Sequence, residues 1–451
     1  MNKRKDILES DVARVLTRMT IPMIFGILGI VAFNLADTYF VGKLGTTEIA
    51  ALTFTFPVVL IVNSINLGLG VGTSAIISRA IGQKNNDRVK RLSTDSLILS
   101  VIIAILFFII GEITIEPVFD LLGADSSSMV FIKKYMRIWY AGSPFIVIPM
   151  VGNSIIRALG DTKTPSLVMM FSAGVNIVLD PIMIFGFGLI PAMGVTGAAL
   201  ATLISRAITM IFSLYVLIVR EKVLSYNKVT LKEIFESWKE ILKLGIPNAI
   251  AKMIIPLGTG VITGMISSYG TEVVAGYGIA SRVEFLALAV VSAVSSIMPV
   301  FVGQNYGAGN HSRIIDAVRK GNIFSIIFGI ITWLTLWLSG GFIASLFTAN
   351  SEVSTIVMKY LFIVPLGYTF QGVNQIIIGA FNGTMQAVKA SGVNLVQMFI
   401  VYIPLAKILS SSHGFIGILV AIVISQILVG VIAHIVFEKS LVKNKELSLD
   451  V

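Results

Sequence analysis

Apolar runs long enough to cross a bilayer recur along the whole of this chain, and they constrain its fold more than any other feature. SLILSVIIAILFFIIG (96–111) and GILVAIVISQILVGVIAHIVF (417–437) are the plainest. Twelve such segments can be read, at about 16–41, 49–76, 93–112, 131–156, 165–187, 194–219, 240–267, 273–302, 321–347, 353–381, 387–409 and 414–437. An open chain with long continuous apolar segments can satisfy its backbone in lipid only as helices; a barrel would show short alternating strands instead. Only 13% of the 451 residues are charged, against about a quarter in soluble domains. The expected fold class is therefore an all-α polytopic membrane protein with twelve transmembrane helices.

The charges that remain sort by position. One set of connections is basic: the N-terminus, Arg79 to Arg91, Arg157/Lys163, Arg220 to Lys232, Arg313/Arg319/Lys320 and Lys439 to Lys445. The alternate set is poor in base and often acidic, as in GEITIEPVFDLLGADSSS. The positive-inside rule places both termini in the cytoplasm. The net charge of +10 then serves orientation, and no nucleic-acid partner is expected. There are no cysteines, which excludes disulfides and sulfur-ligated metals. His311, His413 and His434 are scattered, and no cleavable signal peptide is expected.

The chain repeats itself. LGTTEIAAL (44–52) resembles YGTEVVAGY (269–277), IGQKNNDR (81–88) resembles VGQNYGAG (302–309), and GVTGAALATLISR (194–206) resembles GFIGILVAIVISQ (414–426), all at offsets near 220–225. Corresponding helices keep their orientation, so two parallel six-helix lobes are expected, a known transporter plan. The expected division is an N-terminal lobe 1–222, a linker 223–239 and a C-terminal lobe 240–451. Within TLKEIFESWKEIL, Thr230 and Glu233 stand at capping-box spacing, and Leu231, Ile234, Phe235, Trp238 and Ile241 share a face. The segment reads as an amphipathic helix on the inner membrane surface, or else as a solvated linker.

Charged residues within spans are expensive and usually face a bundle interior or wet cavity. Asp37, Asp180, Arg206 and Lys252 are the clear cases, with Arg282 and Glu284 a fifth. Asp180 and Asn176, four apart, share one helix face. A rise of about 1.5 Å per residue puts Asp37, Asp180 and Thr202 at similar depth in the outer half of the N-terminal lobe. Two carboxylates, an amide and a hydroxyl make a set of hard oxygen donors, suited to a proton or to Na⁺ as the bound metal. A satisfied structural pair is the competing reading of the two aspartates. Arg206 is a counter-charge or a packing lock, and Lys252 with Glu284 is a candidate polar pair of the C-terminal lobe.

IPMIFGILGIVAFNLADTYFVGKLG, the SRAIGQ stretch, RALGDTKTP, NIVLDPI and GAALATLISR resemble the multidrug and toxic compound extrusion (MATE) family, over essentially the whole chain. The likeness is greatest to its DinF-type and archaeal branch. It implies cation-coupled efflux by rocking of two helix bundles about a V-shaped cleft. It assigns a cation site to Asp37, Asn176, Asp180 and Thr202, a bending proline to Pro22, and cavity roles to Tyr135 and Asn153. FGFGLIPAMGVTG, between Asp180 and Thr202, is longer than the family pattern. The branch with a helix 10 carboxylate is not matched, because YLFIVPLGYTFQGVNQIIIGAF carries Gln371, Asn374 and Gln375 but no acid.

The expected function is a secondary active multidrug exporter. It would antiport organic cations or amphipathic aromatic compounds against H⁺ or Na⁺ by alternating access. A lipid-linked oligosaccharide flippase of the same superfamily is the alternative. An enzyme is not expected, because no catalytic constellation is evident. The expected partners are a drug-like small molecule and membrane lipid. No cofactor is expected, the chain reads as a monomer, and the location reads as a prokaryotic inner membrane.

Overall fold

The structure, a computed structural model, describes residues 2–44, 46–225 and 230–447. Among these residues the only β pairing is one bridge, Phe187 to Ile190; nearly everything else is helical. The helices are α1 (Asn2–Glu9), α2 (Val12–Gly42), α3 (Thr46–Gly82), α4 (Asn86–Leu121), α5 (Ser126–Ala141), α6 (Ser143–Ala158), α7 (Lys163–Phe185) and α8 (Val195–Tyr215). They continue as α9 (Leu231–Ser267), α10 (Thr271–Ala287), α11 (Ala289–Gly307), α12 (His311–Phe347), α13 (Ser351–Ile363), α14 (Tyr368–Gly383), α15 (Ala387–Leu395) and α16 (Ile403–Leu447).

Nine stretches among the described residues are long and apolar enough to cross a membrane, or eleven when two bent pairs each count as one span. Those pairs are α5 with α6, bent by 44°, and α10 with α11, bent by 49°. A further break lies inside α16, where Gly414 takes φ 57° and ψ −142°, a region costly for residues with a Cβ. Splitting the last stretch there yields the twelve spans of the sequence reading. The segment read as 353–381 is likewise discontinuous: α13 passes through a 3₁₀ turn, Val364–Gly367, into α14.

The polarity of the helices is inside-out relative to a soluble bundle. On α4, Ile105, Ile109, Ile110 and Ile113 are exposed, while Ser93, Ser96 and Ser100 are buried. The three serine hydroxyls donate to the carbonyls of Val89, Leu92 and Leu97 at 2.6–2.7 Å. Such a helix satisfies its own polar groups and presents hydrocarbon outward, as lipid requires.

The chain divides into two compact units. The first is Ile21–Ala249; the second joins Arg4–Thr20 to the chain from Ile250 onward. Both boundaries fall inside helices, α2 and α9. Each lies close to a proline: Pro22 follows the first, and Pro247 precedes the second. The two prolines are repeat mates, about 225 residues apart.

In the first unit, the opening of α9 is held on α3 and α4. A Cβ at Gly68 or Gly72 would meet the backbone of Ala249, Gly245 or Ile241, so glycine permits this approach. Trp238 Nε1 donates to the Asp95 carbonyl at 2.9 Å, and Arg91 pairs with Glu233 at 3.1 Å. The capping box forms: Thr230 N–H donates to Glu233 Oε2 at 2.8 Å, and Glu233 N–H to Thr230 Oγ1 at 3.4 Å. Part of the expected linker, 226–229, lies outside the described residues. The rest of its helical part is no separate element, since residues 231–239 are the first turns of the long helix α9.

In the second unit, Arg4–Thr20 is anchored against the start of α12. Arg313 donates to Asn305 Oδ1 at 3.1 Å and to the carbonyls of Ile7 and Ser10 at 3.1 and 2.6 Å. Asn305 adds a longer bond to the Ile7 carbonyl, 3.4 Å. Ile7 and Asn305 are fully buried.

Candidate functional site

Five polar residues of the first unit, Asp37, Tyr135, Asn176, Asp180 and Thr202, converge from four helices. On α7, one turn separates Asn176 from Asp180, and both are fully buried. Asn176 Nδ2 donates to Asp180 Oδ1 at 3.2 Å and to Thr202 Oγ1 of α8 at 3.5 Å. Asp37 of α2 and Tyr135 of α5 are half-buried, and both lie within electrostatic reach of Asp180. Asn176 Oδ1 and Asp180 Oδ2 are buried and have no protein partner. Buried oxygens left without a donor are costly, and two of them side by side, with a second carboxylate near, suit a proton or a hard cation. No group of three or more acidic, histidine or cysteine side chains placed to hold a metal ion exists among the described residues. The set is thus mixed: carboxylate, amide and hydroxyl.

Thr202 reaches Asn176 in spite of the long α7–α8 connection, because that connection folds back on itself. Gly186, Gly188 and Gly194 take φ of 82°, 62° and 56°, values that glycine adopts without strain. Phe187 and Ile190 bridge each other. Met193 N–H and Gly194 N–H then bond the Met183 and Ile184 carbonyls, each at 3.0 Å, which returns α8 alongside α7.

The remaining expected residues separate. Pro22 lies inside α2, fifteen residues before Asp37, or about 22 Å along the axis. It stands at the boundary between units and away from the polar cluster. Asn153 is buried in α6, and no hydrogen bond joins it to the four clustered residues. Arg206 forms no ion pair with Asp37 or Asp180; its guanidinium sits 5.6 Å from the Phe33 ring centroid.

In the second unit, the expected Lys252–Glu284 pair does not form among the described residues. Glu284 accepts a hydrogen bond from Tyr360 instead. Tyr277 packs edge-on to Tyr360, 5.6 Å between centroids. Tyr360 is 76 positions away from Glu284, and no periodicity pairs them. The amides expected on helix 10 lie in α14 and bond neighbouring segments: Asn374 donates to Gln397 at 2.7 Å, Gln397 donates to Gln371 at 3.2 Å, and Ser292 of α11 donates to Gln375 at 3.3 Å. The sequence reading also left Asp161 of RALGDTKTP without a role. It caps the start of α7, accepting from Thr164 N–H at 3.1 Å, and pairs with Arg220 at 2.6 Å.

Fold and site together define a polytopic, all-helical membrane transporter. The chain belongs to the MatE family, whose model matches residues 22–182 and 247–408, one match in each repeat; its members are transporters and not enzymes. A FAD transporter of Shewanella oneidensis is 35% identical over 96% of both chains. The multidrug export protein MepA of Staphylococcus aureus is 26% identical, over 95% of this chain and 94% of its own. A crystal structure of a mutant of the Vibrio cholerae MATE transporter VcmN superposes with a TM-score of 0.92 at 28% identity, covering 98% of this chain and 99% of that one.

Proposed function

We propose that this chain is a cation-coupled exporter of amphipathic aromatic compounds, working by alternating access of an N-terminal and a C-terminal lobe. The coupling ion, H⁺ or Na⁺, binds at Asp37, Asn176, Asp180 and Thr202. The observation that carries this reading is the buried, unpartnered Oδ2 of Asp180 beside the unpartnered Oδ1 of Asn176. With both aspartates ionised, the site holds excess negative charge, and one bound cation relieves it. Binding biases one conformation over another only through differential affinity. A FAD-transporter relative supports an aromatic dinucleotide among the substrates, and multidrug-export relatives support drug-like small molecules. The basic connections support cytoplasmic termini; a prokaryotic inner membrane and a monomeric state complete the proposal.

The test is efflux from proteoliposomes under an imposed Na⁺ gradient and, separately, a pH gradient. Asp180→Asn keeps the side-chain shape and removes the charge, so it should leave yield intact and abolish gradient-driven efflux. Efflux by Asp180→Asn equal to wild type would make the cluster structural. The two ions should compete, and Thr202→Ala should weaken Na⁺ more than H⁺, because Na⁺ needs several oxygens where a proton needs one.

A further inference from the structure

Among the described residues of the first unit, Arg206 is the one cation that stands deep in a span and makes no hydrogen bond or ion pair. It lies eleven residues into α8, about 17 Å along the axis, inside a stretch that continues apolar to Arg220. Charge at that depth is costly and needs a reason. Arg206 could neutralise the acids, yet Asp37 and Asp180 form no ion pair with it among the described residues. It could lock packing through its N–H fork, yet the fork makes no hydrogen bond there. Among the described residues it makes no hydrogen bond or ion pair, and its guanidinium lies over the face of Phe33, 5.6 Å from guanidinium carbon to ring centroid; the side chain is only half-buried. Phe33 lies one turn from Asp37 on α2, and Arg206 one turn from Thr202 on α8. The pair therefore forms a second layer beneath the cation cluster. An aromatic face backs a guanidinium whose five donors remain free, a geometry matched to a planar or tetrahedral oxyanion.

We infer that Arg206 and Phe33 form a recognition site for the oxyanion of an aromatic substrate, a phosphate or a carboxylate on a planar ring system. The inference rests on the proposed transport role of this unit, and it assigns that role a substrate class other than the simple organic cation. Arg206 supplies a bidentate contact to the anion. Phe33 holds the guanidinium plane by cation–π contact and offers apolar surface to the ring.

Two matched pairs of probes test this on the purified full-length protein in detergent, with no gradient: riboflavin 5′-phosphate against riboflavin, and indole-3-acetate against indole-3-acetamide. Wild type should prefer the anionic member of at least one pair by about tenfold, the scale of a charge-assisted contact. The pair that shows it identifies phosphate or carboxylate as the recognised group. Arg206→Gln should erase that preference and leave the neutral member's affinity unchanged, which also reports intact folding. Should Arg206→Gln lose the neutral probe too, Arg206→Lys decides: it should retain part of the preference, since charge remains while the fork is gone. Absence of any preference or binding in wild type overturns the inference, as does a preference that survives Arg206→Gln or is unchanged in Arg206→Lys. The same measurement on Asp180→Asn should keep the Arg206-dependent preference, so failure of the coupling proposal and failure of this one are told apart.

Discussion

Arg313→Ala should free the N-terminal segment while leaving the rest of the chain folded. The guanidinium holds residues 6–20 through two backbone carbonyls, Ile7 and Ser10, and through Asn305. A hydrogen bond from a charged donor contributes roughly 1.5–3 kcal/mol, and an orphaned buried acceptor costs about 1–3 kcal/mol. Water can reach Ser10 once the arginine is removed. The Ile7 carbonyl, in a fully buried residue, keeps only the 3.4 Å bond from Asn305. Discounting the Ser10 bond and part of the Asn305 bond leaves about 3 kcal/mol for local opening, roughly a hundredfold in its equilibrium constant. Hydrogen exchange measures this directly, because amides of a locally opening segment report its own free energy. Exchange across 6–20 should rise by about two orders of magnitude, with α4 and α14 unchanged. A rise of less than about threefold, or a uniform rise across the protein, would refute the anchoring role.

The repeat-equivalent residue in the first unit, Arg88, pairs with Glu240 at 2.7 Å, but both side chains are about half exposed, 45% and 47%. Arg88→Ala should therefore cost only about 0.2–1 kcal/mol, and exchange in 231–240 should rise a few-fold at most; a rise as large as that for Arg313→Ala would mean solvent screens this pair far less than its exposure implies. Arg18 bonds Asp6, and the Arg14 N–H with Lys320 faces Asp11, holding both carboxyls below the ordinary aspartate value of 3.8. A depressed folded value stabilises above the unfolded one and is lost as pH falls through the depressed value, so N-terminal anchoring should be constant near neutrality and weaken only below pH 3.8. Pepsin cleavage within 6–20 checks this, and an absence of any acceleration below that pH counts against the two pairs. Tyr360→Phe removes the donor to Glu284 and should lower stability by about 1–3 kcal/mol, seen as a lower Tm in detergent; an unchanged Tm would show that Glu284 finds another partner.

What the sequence determines by itself is whatever helix geometry makes local. Long apolar runs dictate spans, since lipid leaves the backbone no other way to bond. A spacing of four puts Asn176 on the same helix face as Asp180, and that much was legible from the sequence; the 3.2 Å bond between them depends on the side-chain rotamers that packing selects. The capping box of Thr230 and Glu233 lies three residues apart and was legible for the same reason. Repeats at a fixed offset revealed two halves because each half carries its own pattern. Tertiary packing decided everything that joins distant turns. It gave Glu284 a tyrosine 76 positions away in place of Lys252. It turned the expected linker helix into the opening of α9, tied to α4 by contacts more than 140 residues apart. It drew the unit boundaries through α2 and α9, beside Pro22 and Pro247, where a division by sequence cuts between helices. It also left Arg206 against Phe33, with no ion pair to either acid among the described residues. Side-chain periodicity says which residues share a face of one helix. Which face meets which neighbour is settled only when helices pack, and there a charge's partner is chosen by reach and by what else fills the space.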